Sequence, residues 1–198
     1  MSARFFPRIL ERRWRFIHPR QRTISRLKLV DRLIKVELKP IRRNNLPKIY
    51  DWRRDPRIIP NLNSRPLKNY GDHLLWFKSL NERSDEKHFG IWLEEMFLGV
   101  VWLANINQRD AKAEVRIYMG VQKGDLRGAG RAALGQLCRQ LKNQGKLKKL
   151  YAYVWIKNKK AGRCFQNAGF KKEGILLKDR WWESTRRRET VLFLGKHL

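Results

Sequence analysis

A short turn rich in glycine and arginine sets the strongest limit on how this chain can fold. It occupies residues 121–134 and reads V-Q-K-G-D-L-R-G-A-G-R-A-A-L, after a strand-like run at 111–121 and before a helix-like run that ends near Gly145. Glycine lets the backbone approach a ligand closely, and a helix N-terminus presents free N–H groups with a favourable dipole. The pattern therefore predicts a strand, a turn and a helix arranged to bind phosphate groups.

Two common phosphate-binding motifs do not fit this turn. The Gly-Lys-Ser/Thr that ends a nucleotide P-loop does not follow it, and the third glycine of the dinucleotide-binding fingerprint is missing. A simpler interpretation stays open, in which the glycines only form a turn before an amphipathic helix.

Charge is the second feature that constrains the function. The 198-residue chain carries a formal net charge of +28, with 12 basic and 3 acidic residues in the first 40 positions and 34 against 15 in the rest. A field of this size attracts polyanions such as RNA or an anionic lipid surface. A generally basic proteome would also account for the excess. Eight Trp and nine Phe residues argue against disorder despite the charge.

Residues 1–34 differ from the remainder and are predicted to be a basic amphipathic extension. Arginines alternate there with apolar residues, and Leu10, Trp14 and Ile17 fall on one face at helical spacing. Such a segment can lie on a membrane surface, dock on RNA or serve as a cleavable organellar transit peptide. A surface helix packed on its own domain is the simplest alternative. No window approaches the roughly 18 apolar residues of a membrane span. The expected location is cytoplasmic, with a position at a membrane surface, association with ribosomes and organellar import left open as alternatives.

Cysteine and histidine give no sign of a metal site. Cys138 and Cys164 both fall on predicted helices without partner spacing, which is typical of buried free thiols in a reducing compartment. The four histidines are scattered along the chain. We therefore predict that the protein binds no metal.

From residue 35 onward the periodicity is that of one ordered α/β domain ending at residue 198. The predicted order of elements is β-α-α-β-β-β-α-β-α-β-β, which gives a mixed (α+β type) sheet of about seven strands with helices on both faces. Residues 60–66 are predicted to be a loop, and residues 179–188 the tip of the last hairpin. The helix after the glycine turn is predicted at 128–143, ended by Gly145.

Five stretches of the sequence resemble one enzyme superfamily. The chain resembles the GCN5-related N-acetyltransferases (GNAT), within the branch that acetylates aminosugar nucleotides or ribosomal-protein N-termini, and the aminosugar type most of all. The matching stretches are Arg127-x-x-Gly130-x-Ala132, Asn158-x-x-Ala161-x-x-x-Phe165-x-x-x-Gly169-Phe170, Glu173-Gly174-Ile175-Leu176, Trp52-Arg53-Arg54-Asp55-Pro56 and His73-x-x-Trp76-Phe77.

The resemblance implies an enzyme that uses acetyl-CoA as co-substrate. Backbone N–H groups of the glycine turn would hold the pyrophosphate of CoA, with help from the side chains of Arg127 and Arg131. Met119 and Val121 would pair with the pantetheine amides, and Asn158 would line the cleft where thioester and amine meet. The residues expected to contact CoA are Met119, Val121, Arg127, Gly128, Ala129, Gly130, Arg131, Ala132, Asn158 and Phe165.

The resemblance identifies the residues that would transfer protons less completely. Glu114 is the predicted general base, acting directly or through water, with an exposed strand carboxylate beside Arg116 as the alternative. Many relatives carry a tyrosine at the position of Phe165, where it protonates the leaving thiolate. A water, Tyr118 or Cys164 could take that role, the thiolate could leave unaided because a thiol pKa is about 8.5, or the domain could bind CoA without turnover.

Two hypotheses about function follow. The first is an N-acetyltransferase that acetylates a primary amine of an aminosugar nucleotide or a protein N-terminus, with Trp181, Trp182 and the basic run 186–188 beside the acceptor. The second is a catalytically weak or inactive protein of the same fold that binds RNA as part of a ribosome or another ribonucleoprotein. The oligomeric state is not predicted.

Overall fold

A computed structural model describes residues 34–64, 67–121 and 126–198 of the chain. The predictions made for residues 1–33 lie outside the described residues, so the domain boundary near residue 34 stays a prediction. Residues Lys35–Leu198 form one compact unit. Everything below concerns that unit.

The described residues of the domain form seven strands and five α-helices. The strands are β1 (Glu37–Pro40), β2 (Lys87–Leu93), β3 (Met96–Asn107), β4 (Lys112–Met119), β5 (Lys149–Trp155), β6 (Lys171–Trp182) and β7 (Arg187–His197). The helices are α1 (Leu46–Trp52), α2 (Ile59–Leu62), α3 (Tyr70–Ser79), α4 (Ala129–Gln144) and α5 (Lys159–Asn167). A short 3-10 turn, Arg43–Asn45, leads into α1.

The strands form one mixed sheet in the order β1-β2-β3-β4-β5-β7-β6. All neighbouring pairs are antiparallel except β4 and β5, which run parallel. A parallel pair needs a crossover connection, and α4 supplies it. The parallel pair therefore places the turn before α4 at the carboxyl end of β4, in the middle of the sheet.

Helices cover the sheet on both faces. Ile49 and Trp52 of α1 pack in one buried cluster with Val100 of β3 and, at its margin, Tyr118 of β4. Gly130 of α4 lies instead against the side chain of Met119. Because neighbouring residues of a strand point to opposite faces, α1 and α4 lie on opposite sides of β4. The fold class predicted from the sequence, a seven-stranded mixed sheet with helices on both faces, is confirmed.

The structure corrects the predicted loop at residues 60–66 and the predicted size of the last hairpin. Ile59–Leu62 forms a short helix, with Pro60 in its first turn, where proline is tolerated because no intrahelical N–H is needed there. The last hairpin is longer than predicted, since β6 and β7 leave only residues 183–186 as its tip. Its end is fixed to α2, because Trp182 Nε1 donates a 2.8 Å hydrogen bond to the Pro60 carbonyl.

Among the described residues, no helix is long and apolar enough to cross a bilayer. The same part of the chain contains no group of three or more His, Cys, Asp or Glu side chains arranged to hold a metal ion.

Candidate active site

The central strands β4 and β5 separate halfway along their length. Their pairing ends at Glu114 opposite Tyr151, although β4 continues to Met119 and β5 to Trp155. Beyond that point β4 stays paired with β3 and β5 stays paired with β7. The separation opens a cleft in the sheet, and one edge of β4 in the cleft has no partner strand.

The cleft edge of β4 presents backbone groups at different positions from those predicted. Gly120 and Val121 both donate their N–H groups to the Leu98 carbonyl of β3, at 2.8 and 3.1 Å. Backbone direction alternates along an antiparallel strand, so Ile117 and Met119 turn their N–H groups toward the cleft. The N–H of Met119 thus faces the cleft, as does that of Ile117, which the sequence did not single out, whereas the N–H of Val121 is engaged by Leu98. The contacts of Met119 and Val121 with CoA stay predictions. Alternation alone gave no sign that the chain turns back onto β3 after Gly120.

The glycine turn meets the cleft at the start of α4. Gly128 adopts a left-handed backbone with φ of 94° and precedes the first helical residue, and no described side chain caps this helix end. The first N–H groups of any helix lack intrahelical acceptors. Those of Ala129, a fully buried residue, and of Gly130 therefore have no acceptor within α4. Ala132, also predicted to contact phosphate, donates its N–H to the Gly128 carbonyl at 2.8 Å. Arg127 lies exposed beside the turn, next to the undescribed residues 122–125.

Close packing around Gly130 gives this glycine a second role. A Cβ atom at residue 130 would lie 3.2 Å from Cys164 Sγ of α5 and 3.8 Å from Met119 Cγ and Sδ. A larger side chain would therefore push α4 away from β4 and α5 as well as cover the first-turn N–H groups. The glycine is required for helix packing whether or not a phosphate binds there.

The two predicted contacts on α5 occupy structural positions. Asn158 caps α5, its Oδ1 accepting the N–H of Ala161 at 3.0 Å. Phe165 is only 3% exposed and packs edge-on against Phe170, with ring centroids 5.1 Å apart. Their contacts with CoA stay predictions.

Two groups near the cleft keep their protons at neutral pH. Burial raises the pKa of Tyr118, and its hydroxyl is buried without a hydrogen-bond partner among the described residues. Burial also raises the pKa of Cys164 to about 11, against the opposing positive charges of Arg131 and Lys160. Both therefore remain protonated, as a group that protonates the leaving thiolate must be.

A pocket of about 140 Å³ lies on the α1 face of the sheet, beside the cleft, and three arginines line it. Arg116 of β4 pairs with Glu114, and Arg83 lies 3.4 Å from Glu86. Arg53, which follows α1, has its guanidinium 5.4 Å from the Trp76 ring centroid and no carboxylate partner among the described residues. Burial lowers the pKa of Arg53, but an arginine stays charged in proteins. The pocket thus holds one positive charge that no described carboxylate pairs with.

Aromatic rings form the remaining wall of this pocket. His88 of β2 stacks on Trp102 of β3 with centroids 5.6 Å apart and an interplanar angle of 10°. The ring of Trp76 from α3 meets His88 edge-on at 5.4 Å. The Nε2 atom of His88 lies 2.9 Å from Glu86 Oε2. This wall can pack against a flat ligand and also offers a titratable nitrogen.

Glu114 is more tightly held than the sequence suggested. It is 3% exposed, so the alternative interpretation as an exposed strand carboxylate is wrong. Arg116 is its neighbour, as that interpretation stated. Arg116 Nε lies 2.7 Å from Oε1 and Nη2 lies 3.0 Å from Oε2, which also accepts from Asn105 Nδ2 at 2.9 Å. Three donated hydrogen bonds therefore engage the two oxygens of this carboxylate.

The tryptophans of the last hairpin play separate parts. Trp182 is buried and stacks on Trp155, with ring centroids 5.4 Å apart. Trp181 is 52% exposed. Trp182 therefore anchors the hairpin against α2, and only Trp181 has a free surface for a ligand.

The pocket itself was not predicted from the sequence. Arg53 and Trp76 belonged to recognised motifs without an assigned role. His88, Trp102 and Arg116 were not predicted to lie close together. These last three stand in register across three strands, His88 opposite Trp102 and Trp102 opposite Arg116. Strand alternation could have placed each on a face, but the register between strands is not visible in one sequence.

Comparison with known proteins agrees with this architecture. The family model described as acetyltransferase (GNAT) domain matches residues 35–171. The acetyltransferase PseH of Campylobacter jejuni subsp. jejuni serotype O:23/36 (strain 81-176) is 27% identical over 122 residues, which are 62% of this chain and 74% of that protein.

Solved structures show the same fold at lower identity. Spermidine N-acetyltransferase from Vibrio cholerae, in complex with CoA and spermine, superposes with a TM-score of 0.72 at 22% identity, covering 82% of this chain and 95% of the other. The microcin C7 self-immunity acetyltransferase MccE, in complex with acetyl-CoA and AMP, gives 0.70 at 18% identity, covering 83% and 93%. These likenesses establish the fold.

Proposed function

The chain belongs to the GNAT acetyltransferase domain family, and from that premise we propose that it acetylates a primary amine on an anionic small molecule, with acetyl-CoA as the donor. The observation that carries the proposal is the position of the cleft between β4 and β5. It meets the uncapped start of α4 at one end and the arginine-lined pocket on the α1 face. A donor and an acceptor can therefore approach each other through the middle of the sheet.

The donor side of the proposal rests on backbone groups. The N–H groups of Ala129 and Gly130 would bind the pyrophosphate, with the charge of Arg127 nearby. Those of Ile117 and Met119 would pair with the extended pantetheine as a neighbouring strand would. Family members of known structure support this arrangement, since the V. cholerae enzyme was solved with CoA and MccE with acetyl-CoA.

The charge of the pocket supports an anionic acceptor. Arg53, Arg83 and Arg116 line it against a single lining carboxylate, Glu86. A polyamine such as the spermine bound by the V. cholerae enzyme would be repelled there, whereas a phosphate group would form charge-assisted hydrogen bonds with a guanidinium. An aminosugar nucleotide combines a primary amine, phosphates and a flat base, and it is the acceptor class that we favour. A protein N-terminus is the competing acceptor.

The reaction needs an unprotonated amine beside the thioester carbonyl. The amine nitrogen attacks that carbon, the C–S bond breaks, and the CoA thiolate takes up a proton. Backbone N–H groups of the cleft edge can stabilise the negative charge that develops on the carbonyl oxygen. Glu114, the base predicted from the sequence, lies on the pocket face of β4, where its two oxygens already accept three hydrogen bonds from Arg116 and Asn105.

Calorimetry with acetyl-CoA tests the donor site. We expect binding by the wild-type protein and its loss in Gly130→Glu, whose side chain would place a negative charge on the first-turn N–H groups. Gly135→Glu is the matched control on α4, because the nearest atom to a Cβ there is the flexible Arg139 guanidinium at 3.6 Å. Absence of binding by the wild-type protein, or equal loss in both variants, would contradict the donor site.

Mass spectrometry of acetylated products tests the acceptor. The panel contains UDP-glucosamine, spermine and a short peptide with a free N-terminus, each at saturating acetyl-CoA. We expect UDP-glucosamine to be the best of the three. Preference for spermine would overturn the anionic acceptor, and preference for the peptide would select the competing class.

The comparisons give no support to RNA binding or to a membrane surface as partner. Both hypotheses rest on the charge and on residues 1–33, which lie outside the described residues. We therefore propose a cytoplasmic enzyme and keep the basic segment out of its mechanism.

A further inference from the structure

The proposed reaction requires a group that removes a proton from the acceptor ammonium. Such a base must reach the acceptor pocket, carry a free lone pair and have a pKa close to the working pH. Five titratable side chains lie in or beside the described pocket wall besides the arginines: His73, Glu86, His88, Glu114 and Tyr118.

Four of these groups are poorly suited. Both oxygens of Glu114 accept hydrogen bonds from Arg116, and one accepts from Asn105 as well. Tyr118 keeps its proton because burial raises its pKa. Glu86 contacts His88 and Arg83. His73 is fully buried beneath Trp76, outside the pocket.

His88 has the geometry that a base requires. An ionised carboxylate only accepts hydrogen bonds, so the 2.9 Å contact with Glu86 Oε2 assigns the ring proton to Nε2. The lone pair then lies on Nδ1, which makes no hydrogen bond with any described residue. Stacking on Trp102 and the edge contact with Trp76 hold the ring in place. A carboxylate that orients an imidazole through one nitrogen, leaving the other free, is the arrangement of a histidine base.

The surroundings of His88 lower its pKa, and burial contributes most. Burial lowers its pKa, the hydrogen bond and charge of Glu86 raise it, and the positive charges of Arg53 and Arg83 lower it further. Arg116, on the facing strand β4, also lines the pocket and carries positive charge. The net result is a pKa below that of an ordinary histidine, so the lone pair is available at neutral pH.

We propose that His88 is the general base of this enzyme, accepting the ammonium proton at Nδ1 directly or through one water while Glu86 fixes its tautomer. This inference rests on the proposed function. The N–H bond of the ammonium breaks, its proton forms the His88 imidazolium, and the free amine attacks the thioester carbon. After the C–S bond breaks, the amide nitrogen loses its second proton to the CoA thiolate. The imidazolium then releases its proton to solvent, which restores His88.

Steady-state kinetics with acetyl-CoA and UDP-glucosamine, measured from pH 5 to pH 8, test the proposal. The imidazolium cannot accept a proton, so wild-type kcat should fall as the pH drops through the pKa of His88. In His88→Gln we expect kcat to fall about 10²- to 10⁴-fold, with that acid limb lost and the Kd of acetyl-CoA unchanged. Glu86→Gln should move the limb to lower pH, because the group that raises the pKa of His88 is removed.

Two further variants keep the result decisive. Added imidazole should partly restore the rate of His88→Ala, which a purely structural role of the ring would not allow. Glu114→Gln should keep the acid limb of the pH profile, because Glu114 only positions Arg116 if His88 is the base. The proposal is overturned if His88→Gln retains wild-type kcat, or if the limb disappears in Glu114→Gln and persists in His88→Gln. Failure of the proposed function would appear separately, as absence of acetyl-CoA binding or of transfer by the wild-type protein.

Discussion

Arg53 places a guanidinium in the acceptor pocket with no carboxylate partner among the described residues. Replacing it with methionine keeps the length of the side chain and removes the charge. Exchanging buried charged groups for apolar ones of similar size stabilises proteins by about 1–4 kcal/mol. The lower end applies here, because Arg53 is only partly buried. Loss of the cation–π contact with Trp76 opposes this by about 0.5–1 kcal/mol.

These contributions predict opposite effects on stability and on acceptor binding. The net gain is about 0–0.5 kcal/mol, and about 1 kcal/mol shifts the unfolding midpoint of a protein of this size by about 2–4 °C, so Arg53→Met should unfold at a temperature equal to or up to about 2 °C above that of the wild type. A hydrogen bond to a charged group contributes about 1.5–3 kcal/mol. The KM for UDP-glucosamine should therefore rise about 10- to 100-fold, while the Kd of acetyl-CoA should not change.

Thermal unfolding and steady-state kinetics on the same preparations measure both effects. Arg54→Met is the matched control, because Arg54 is an exposed neighbour whose guanidinium lies over the Tyr50 ring, outside the pocket. It should leave the KM unchanged. A marked loss of stability in Arg53→Met would show that the guanidinium is a structural group, and an unchanged KM would show that it does not bind the acceptor.

Three further predictions concern stability and reactivity. In Gly120→Ala the new Cβ would overlap the Trp52 indole, so we expect about 3 kcal/mol of destabilisation, measured by denaturant unfolding. In the control Gly174→Ala the new Cβ has no atom within 4 Å, and the free energy of unfolding should stay within about 0.5 kcal/mol of wild type. Burial and the charge of Arg53 lower the pKa of His73, so the unfolded chain binds more protons at this residue than the folded chain. The free energy of unfolding should therefore fall as the pH drops below about 6.5. In His73→Phe its dependence on pH should be shallower, and an identical dependence would refute this. Burial raises the pKa of both Cys138 and Cys164, so iodoacetamide at pH 7.5 should label the native protein far more slowly than the unfolded protein, and equal rates would contradict their burial.

Local patterns in the sequence were sufficient to predict most elements of the fold. The α4 helix has a strong amphipathic repeat and ends at Gly145, whose φ of 68° few other residues adopt readily. The β5 strand alternates strictly between buried and half-buried residues. Such signals depend on neighbours in sequence, which is why the observed order of strands and helices differs from the predicted one only by the added short helix α2.

The errors concern structure that depends on distant residues. Nothing local distinguishes Ile59–Leu62 from a proline-containing loop, and the Pro60 carbonyl is fixed there by Trp182, which is 122 residues away. The length of the last hairpin depends on the same contact. The contact of Val121 with CoA, implied by the resemblance, stays a prediction, and its N–H bonds back to Leu98. Each error arises where a long-range contact overrides a local preference.

The candidate pocket shows why the acceptor is harder to predict from sequence than the donor. In the proposed arrangement the donor would bind through backbone N–H groups at one turn, which Gly128 and Gly130 make visible in a short motif. The candidate acceptor pocket is instead lined by side chains from three strands and from the helices and loops beside them. Its charge depends on which of its arginines are already paired with a carboxylate. Arg83 and Arg116 each lie beside a carboxylate, while Arg53 has none in the described chain. Because a paired guanidinium attracts an anion less than an unpaired one, the preference for an anionic acceptor should depend mainly on Arg53.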